Sequence, residues 1–132
     1  MKLTRSQQLQ RRSYKSAYQG AWYVTYQNEV LPAIRRGACF DPNRRTVTDI
    51  CSIRDIQSDD SADREQSLRK MRAAKSAVYC ENGENRMRFA LNSYRDREVC
   101  KHGIFDGRVV DLHVDEATGA YDLRLEDVRV AI

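Results

Sequence analysis

Val109-Val110-Asp111-Leu112-His113-Val114-Asp115-Glu116-Ala117-Thr118-Gly119-Ala120-Tyr121-Asp122-Leu123-Arg124-Leu125-Glu126 is the stretch whose reading decides the fold. Val110, Leu112 and Val114 alternate with Val109, Asp111 and His113, and Tyr121, Leu123 and Leu125 alternate with Asp122, Arg124 and Glu126. Strict alternation puts one set of side chains on each face of a strand. Between the two runs, Asp115–Gly119 supplies a turn, with Gly119 placed for a left-handed backbone. After Glu126 the apolar set moves to Val128, Val130 and Ile132, a one-residue slip of phase that implies a bulge or tight turn at Glu126-Asp127. The segment reads as an antiparallel hairpin.

Working upstream, Asp106-Gly107 reads as another hairpin turn, and Asn82-Gly83 is a stronger one, since a type I′ turn needs positive φ at both central residues. With Asn82-Gly83 as the loop, Val78 lies opposite Met87 and Ser76 opposite Phe89. Met87, Phe89 and Leu91 then share a face, while Arg86 and Arg88 point the other way. A helix over Arg86–Val99 competes, because Met87, Leu91 and Tyr94 also suit a 3.6-residue period. Asp63 and Glu65 followed by Arg69, Lys70, Arg72 and Lys75 order their charges as a helix dipole prefers, with Ser61 or Asp60 as the cap. Gln57–Ala62 is a polar, acidic linker. Thr46–Ile56 is rich in β-branched residues and reads as a strand, with helix as the alternative. Asp41-Pro42-Asn43 marks a turn.

The N-terminal part reads as helix. Thr4 and Gln7 fit a capping box, and no Pro or Gly interrupts Ser6–Gln19. Tyr14, Tyr18, Trp22, Tyr26 and Val30 follow at steps of four. Each such step turns a helix through about 400°, so the stripe slides by about 40° per step and needs a break near Gly20 or two different neighbours. Pro32 and Gly37 close the helical region. The expected fold class is therefore α+β: a helical N-terminal part followed by an antiparallel β-meander or small barrel. A length of 132 residues suits one domain, mainly helical over 1–75 and mainly antiparallel β over 76–132.

Composition narrows the function classes. No apolar run reaches the ~20 residues of a membrane span, and no apolar signal segment follows Met1, so the expected compartment is the cytoplasm, or a virion within a host cell. Cys39, Cys51, Cys80 and Cys100 form no Cys-x-x-Cys pair. They read as reduced, small buried hydrophobes, and no metal or other cofactor is expected. No phosphate-binding loop or nucleophile elbow is present. Leu112–Gly119 locally resembles the His-containing β-hairpin of the HNH endonuclease VII group. That group follows its Asp with a further His and flanks the hairpin with Cys pairs; here Glu116 and Ala117 stand in those positions and the pairs are missing. The likeness spans eight residues and implies a metal-dependent nuclease, the third functional reading.

Charge is the remaining lead. The net charge of +4 is unevenly spread: residues 1–47 carry +7, residues 48–60 carry −3 and residues 103–132 carry −4. Such a dipole orients a protein on a partner or on another copy of itself. Arg5, Arg11, Arg12 and Lys15 interleave with Tyr18, Trp22 and Tyr26, and Arg35 and Arg36 follow. Cations with aromatics suit phosphate and base stacking, and Trp, Tyr and Arg are equally the residues of protein–protein hot spots. The reading is a non-enzymatic binding or assembly protein, such as a structural or accessory subunit of a phage-like or other large particle. Its expected partners are other protein subunits, copies of itself or different chains. The alternative is a basic nucleic-acid-binding accessory protein. No membrane partner is expected.

Overall fold

The computed structural model describes residues 22–55, 61–92 and 103–131. Eight strands and two helices occur among them: β1 (Tyr23–Tyr26), β2 (Glu29–Arg35), α1 (Arg36–Cys39), β3 (Phe40–Asp41), β4 (Thr46–Cys51), α2 (Ser61–Ser76), β5 (Val78–Glu81), β6 (Glu84–Asn92), β7 (Ile104–Val114) and β8 (Tyr121–Val130). The strands form one mixed sheet in the order β1-β2-β6-β7-β8-β4-β3. Only β2 and β6 run parallel. The long β6 shares one of its sides between two neighbours, β5 along its first half and β2 along its second.

This corrects the expected architecture. Among the described residues before residue 75 the chain is not mainly helical: from Trp22 to Cys51 it is built of strands, interrupted by the four-residue α1. The reason lies in the spacing itself. A step of four is close to one helical turn but is also twice the strand period, so Trp22 and Tyr26 share a face in either structure. Val24, midway between them and 2% exposed, is what a strand demands and a helix does not. The hairpin closes at Gln27 (φ 48°) and Asn28 (φ 65°), both left-handed, with Tyr26 opposite Glu29 and Tyr23 opposite Pro32. Pro32 ends no helix. It sits within β2 just before the β6 register begins at Ala33↔Ala90, so its missing N–H removes no rung of that ladder. Gly37 lies inside α1. The expected helix over Ser6–Gln19 lies outside the described residues.

The C-terminal part behaves as the alternation requires, with three changes. Asn82 (φ 53°) and Gly83 (φ 79°) close the β5–β6 hairpin and Val78 faces Met87 as expected, while Ser76 ends α2 and enters no strand. The segment competing for helix is strand as far as Asn92, and Thr46–Cys51 is also strand. Asp106-Gly107 is no turn. It lies inside β7, where a Cβ on Gly107 would stand 2.9 Å from Leu125 Cβ and 3.1 Å from a Val128 methyl, so the glycine serves close strand packing. The phase slip at Glu126-Asp127 is a bulge with Asp127 at φ 49°. A second bulge at Val110 turns that residue out to solvent and leaves Val109, Leu112 and Val114 toward the core.

Met87, Phe89, Leu91, Ile104, Leu123 and Leu125 are almost wholly buried and form the centre of the core with Leu31, Ile34 and Val47. Phe105 joins Phe89 and Phe40 there, at ring separations of 6.1 and 6.2 Å. Helix α2 lies against β2 and presents Ser67, Lys70, Met71 and Ala74 inward, with Ala77 buried just past its end. Its small side chains allow close approach. At its first half the β7–β8 turn docks: Ser67 Oγ donates to the Gly119 carbonyl, and a Cβ on Gly119 (φ 82°) would meet Arg64 backbone atoms at 3.1 and 3.2 Å.

Candidate functional site

A groove of about 600 Å³ opens between the β1–β2 hairpin and the second half of α2, lined by Tyr23, Asn28, Glu29, Val30, Arg69, Arg72, Ala73 and Ser76. The β1–β2 register sets Tyr23 opposite Pro32 and Thr25 opposite Val30, so these four share one strand face. Ala73 sits at the edge of the buried stripe of α2, and Arg69, Arg72 and Ser76 continue along its exposed flank. The floor is therefore apolar and the rim cationic. Val30 remains 42% exposed. Arg69 is held in place, donating to Glu65 Oε1 at 2.8 Å and to the Tyr23 hydroxyl at 3.5 Å. Tyr23 first, and then the Glu65 charge, hold its guanidinium above its ordinary pKa. Glu29 is engaged by Arg88 at 3.4 Å. Arg72 makes no ion pair among the described residues. Beside the groove, β1 pairs with β2 alone among the described strands.

Two polar clusters lie deeper. Lys70 Nζ donates to Asp49 Oδ2 at 2.5 Å and to the Tyr121 hydroxyl at 3.1 Å, and Tyr121 donates to Asp49 Oδ1 at 2.8 Å. Lys70 and Asp49 side chains are 7% and 9% exposed. The ammonium also lies 5.1 Å from the Tyr121 ring and 6.0 Å from that of Trp22. Burial, and then the Asp49 charge, hold the Tyr121 phenol far above its usual range and push the nearby Cys39 thiol up to about 11. Among the described residues, the side-chain hydrogen bonds of Lys70 and Tyr121 all go to other members of the cluster, which ties α2 to β4 and β8. The second cluster centres on Arg86, which donates to Asp106 at 2.6 Å and to Asp127 at 3.2 Å and its carbonyl at 2.7 Å. Burial alone would lower the Arg86 pKa, but the bonds to Asp106 and Asp127 outweigh it and the net direction is up. Arg129 links Asp106 to Glu81. These ion pairs staple β5, β6, β7 and β8 together.

Of the binding residues expected from sequence, Arg5, Arg11, Arg12, Lys15 and Tyr18 lie outside the described residues. Trp22 is half-buried against the core beside Lys70, and Tyr26 is buried with its hydroxyl unpartnered among the described residues. Arg35 is exposed and Arg36 half-exposed where β2 passes into α1. None of these four lines the groove. The groove residues Tyr23, Arg69 and Arg72 come from segments 46 residues apart, which only tertiary contact unites. Asn28, well suited to a left-handed turn, is the residue that could have signalled the hairpin that builds one wall, within a stretch whose spacing reads as helix. The cysteines divide: Cys51 is buried and Cys39 half-buried, whereas Cys80 is exposed on β5, contrary to the expectation that all are core. His113 is exposed opposite Asp122, in the plain β7–β8 hairpin. Among the described residues no group of three His, Cys, Asp or Glu side chains is placed to hold a metal, and no helix is long and apolar enough to cross a membrane.

No protein-family model matches the chain, and neither a curated protein nor a solved structure is detectably similar to it.

Proposed function

We propose that this protein is a non-enzymatic binding protein that works by assembly, seating a protein partner in the groove between the β1–β2 hairpin and α2. The observation that carries the reading is the groove's construction: an apolar floor at Val30 and Ala73, an Arg69 that reaches Glu65 and the Tyr23 hydroxyl, and on its rim an Arg72 with no ion pair among the described residues. An apolar centre ringed by arginine and tyrosine is the composition of protein-binding hot spots. The polarised charge, +7 over residues 1–47 against −4 over residues 103–132, supports docking with a fixed orientation. A structural or accessory subunit of a larger particle fits the same features.

Light scattering of the purified chain, with and without nucleic acid at low salt, tests this. The expected result is a mass above the monomer, or a stable complex with a copurifying protein, that Val30→Asp reduces. A strict monomer at all concentrations with no partner refutes the assembly reading. Binding of DNA or RNA that weakens linearly in log salt, with a slope reduced by Arg72→Ala, replaces it with the nucleic-acid alternative.

A further inference from the structure

Strand β5 borders the sheet: it pairs with β6 and with no other described strand. Its ladder fixes which main-chain groups are already used. Arg88 N–H donates to the Ala77 carbonyl at 3.2 Å, so Ala77 and Arg88 form a hydrogen-bonded pair. In an antiparallel ladder such pairs alternate with non-bonded ones. Tyr79↔Arg86 and Glu81↔Glu84 are then bonded, whereas Val78↔Met87 and Cys80↔Asn85 are not. The N–H and C=O groups of Val78 and Cys80 therefore point away from β6, and nothing among the described residues bonds them. Proteins blunt such an edge with lysine, proline or a bulge. β5 carries none of these, since its sequence is Val-Tyr-Cys-Glu and its register with β6 is unbroken.

The open groups are symmetric about Tyr79. A two-fold axis through that residue sets Val78 opposite the partner's Cys80, and Cys80 opposite the partner's Val78. Both are hydrogen-bonded pairs, and together they satisfy all four open groups on each chain. The same axis brings Tyr79 against the partner's Tyr79 in a non-bonded pair, the closer kind, with about 4.5 Å between Cα atoms. Arg88 already stacks on the Tyr79 ring at 4.8 Å. The ring thus gives up little freedom on pairing, and offset aromatic pairs are themselves favourable. Charge agrees with this register. Lys75 and Glu84 are exposed and make no ion pair among the described residues. The axis lays the stretch that contains Lys75 beside the tip of the partner's β5–β6 hairpin, where the partner's Glu84 stands.

Beyond the groove reading and independent of it, we infer that β5 pairs with β5 of a second copy of this chain about a two-fold axis through Tyr79, joining the two sheets. The contact uses the same surface on both chains, so it is isologous and closes as a dimer.

Sedimentation velocity of the wild type over a range of concentrations is expected to show a monomer–dimer equilibrium. Cys80→Pro removes the outward N–H of that residue and no rung to β6. With its thermal transition unchanged, it is expected to weaken the dimer by about tenfold to a hundredfold, the effect of two lost hydrogen bonds. Should that variant fail to fold, Tyr79→Cys in a Cys80→Ala background takes its place. Mild oxidation is expected to link this variant as a dimer, because the axis sets its new thiol within disulfide reach of the partner's. A wild type with no dimer, a dimer untouched by Cys80→Pro, or no cross-link at position 79 each overturns the inference. Val30→Asp separates it from the groove reading, since the β5 dimer is expected to persist in that variant. If Val30→Asp dissolves the dimer and Cys80→Pro does not, the β5 inference fails and the groove reading stands. If Cys80→Pro weakens self-association while Val30→Asp changes no association at all, the β5 inference stands and the groove reading falls.

Discussion

Replacing Lys70 by Met tests whether the Lys70–Asp49–Tyr121 cluster fastens α2 to the sheet. The side chains of the ion pair are 7% and 9% exposed, so solvent cannot take over the lost interaction. Met matches the aliphatic stem, and the change isolates the charge. Asp49 would keep one bond, from Tyr121 at 2.8 Å, and would lose its only cationic partner among the described residues. Breaking one side of a buried pair costs about 3–5 kcal/mol, against a total stability of about 5–15 kcal/mol for an ordinary domain. With a urea m-value of about 1–3 kcal/mol/M, the unfolding midpoint should fall by more than about 1 M. Circular dichroism follows the whole fold, and Trp22, the single tryptophan, reports on the site itself. The triple change Lys70→Met, Asp49→Leu and Tyr121→Phe removes all three polar groups together and should restore most of the loss, since desolvation of the charges is then no longer needed. A cost below about 1 kcal/mol for Lys70→Met, the range of exposed pairs, refutes the reasoning. So does a triple variant no more stable than the single one.

Gly107→Ala and Gly119→Ala should each destabilise by different routes. The first overpacks the core against Leu125 and Val128, at about 1–3 kcal/mol. The second adds a left-handed penalty of about 1–2 kcal/mol to its clash with the Arg64 backbone; a neutral thermal melt for either sinks its account. Tyr26→Phe should leave stability unchanged or raise it by about 1 kcal/mol, because it removes a buried hydroxyl that has no partner among the described residues. A loss above about 1 kcal/mol would show that the hydroxyl is bonded after all. Thiol labelling near pH 8 should modify Cys80 quickly and Cys39 only on unfolding, since burial holds Cys39 near 11 and the thiolate is the reactive form. The sign of the linkage follows: a thiol raised from its ordinary value of 9.0 to about 11 contributes stability that is present below pH 9 and lost as pH rises toward 11. Equal labelling rates in the native protein would contradict the burial of Cys39.

The sequence by itself determined the hairpins at Asn82-Gly83 and Asp115–Gly119, the break of phase at Glu126-Asp127 and the helix that carries Asp63 to Lys75. In each, a local constraint admits one structure: a left-handed backbone, a phase slip of one residue, or an ordered pair of charged helix ends. It failed where a local pattern fits two periods at once. Trp22 and Tyr26 at a spacing of four satisfy helix and strand alike, and only pairing of β1 with β2 chose between them. Asp106-Gly107 looks like a turn until Leu125 and Val128 are brought against it, when its glycine proves to be a packing requirement. Tertiary structure alone decided the polar chemistry. Lys70 is an unexceptional lysine between Arg69 and Met71 in sequence, and becomes buried because Ser67, Met71 and Ala74 turn its face of α2 onto the sheet where Asp49 and Tyr121 wait. The groove follows the same logic. Tyr23, Val30 and Arg72 carry no shared motif, since a surface made by a hairpin lying along a helix is encoded in how the two pack and not in the order of residues along either one.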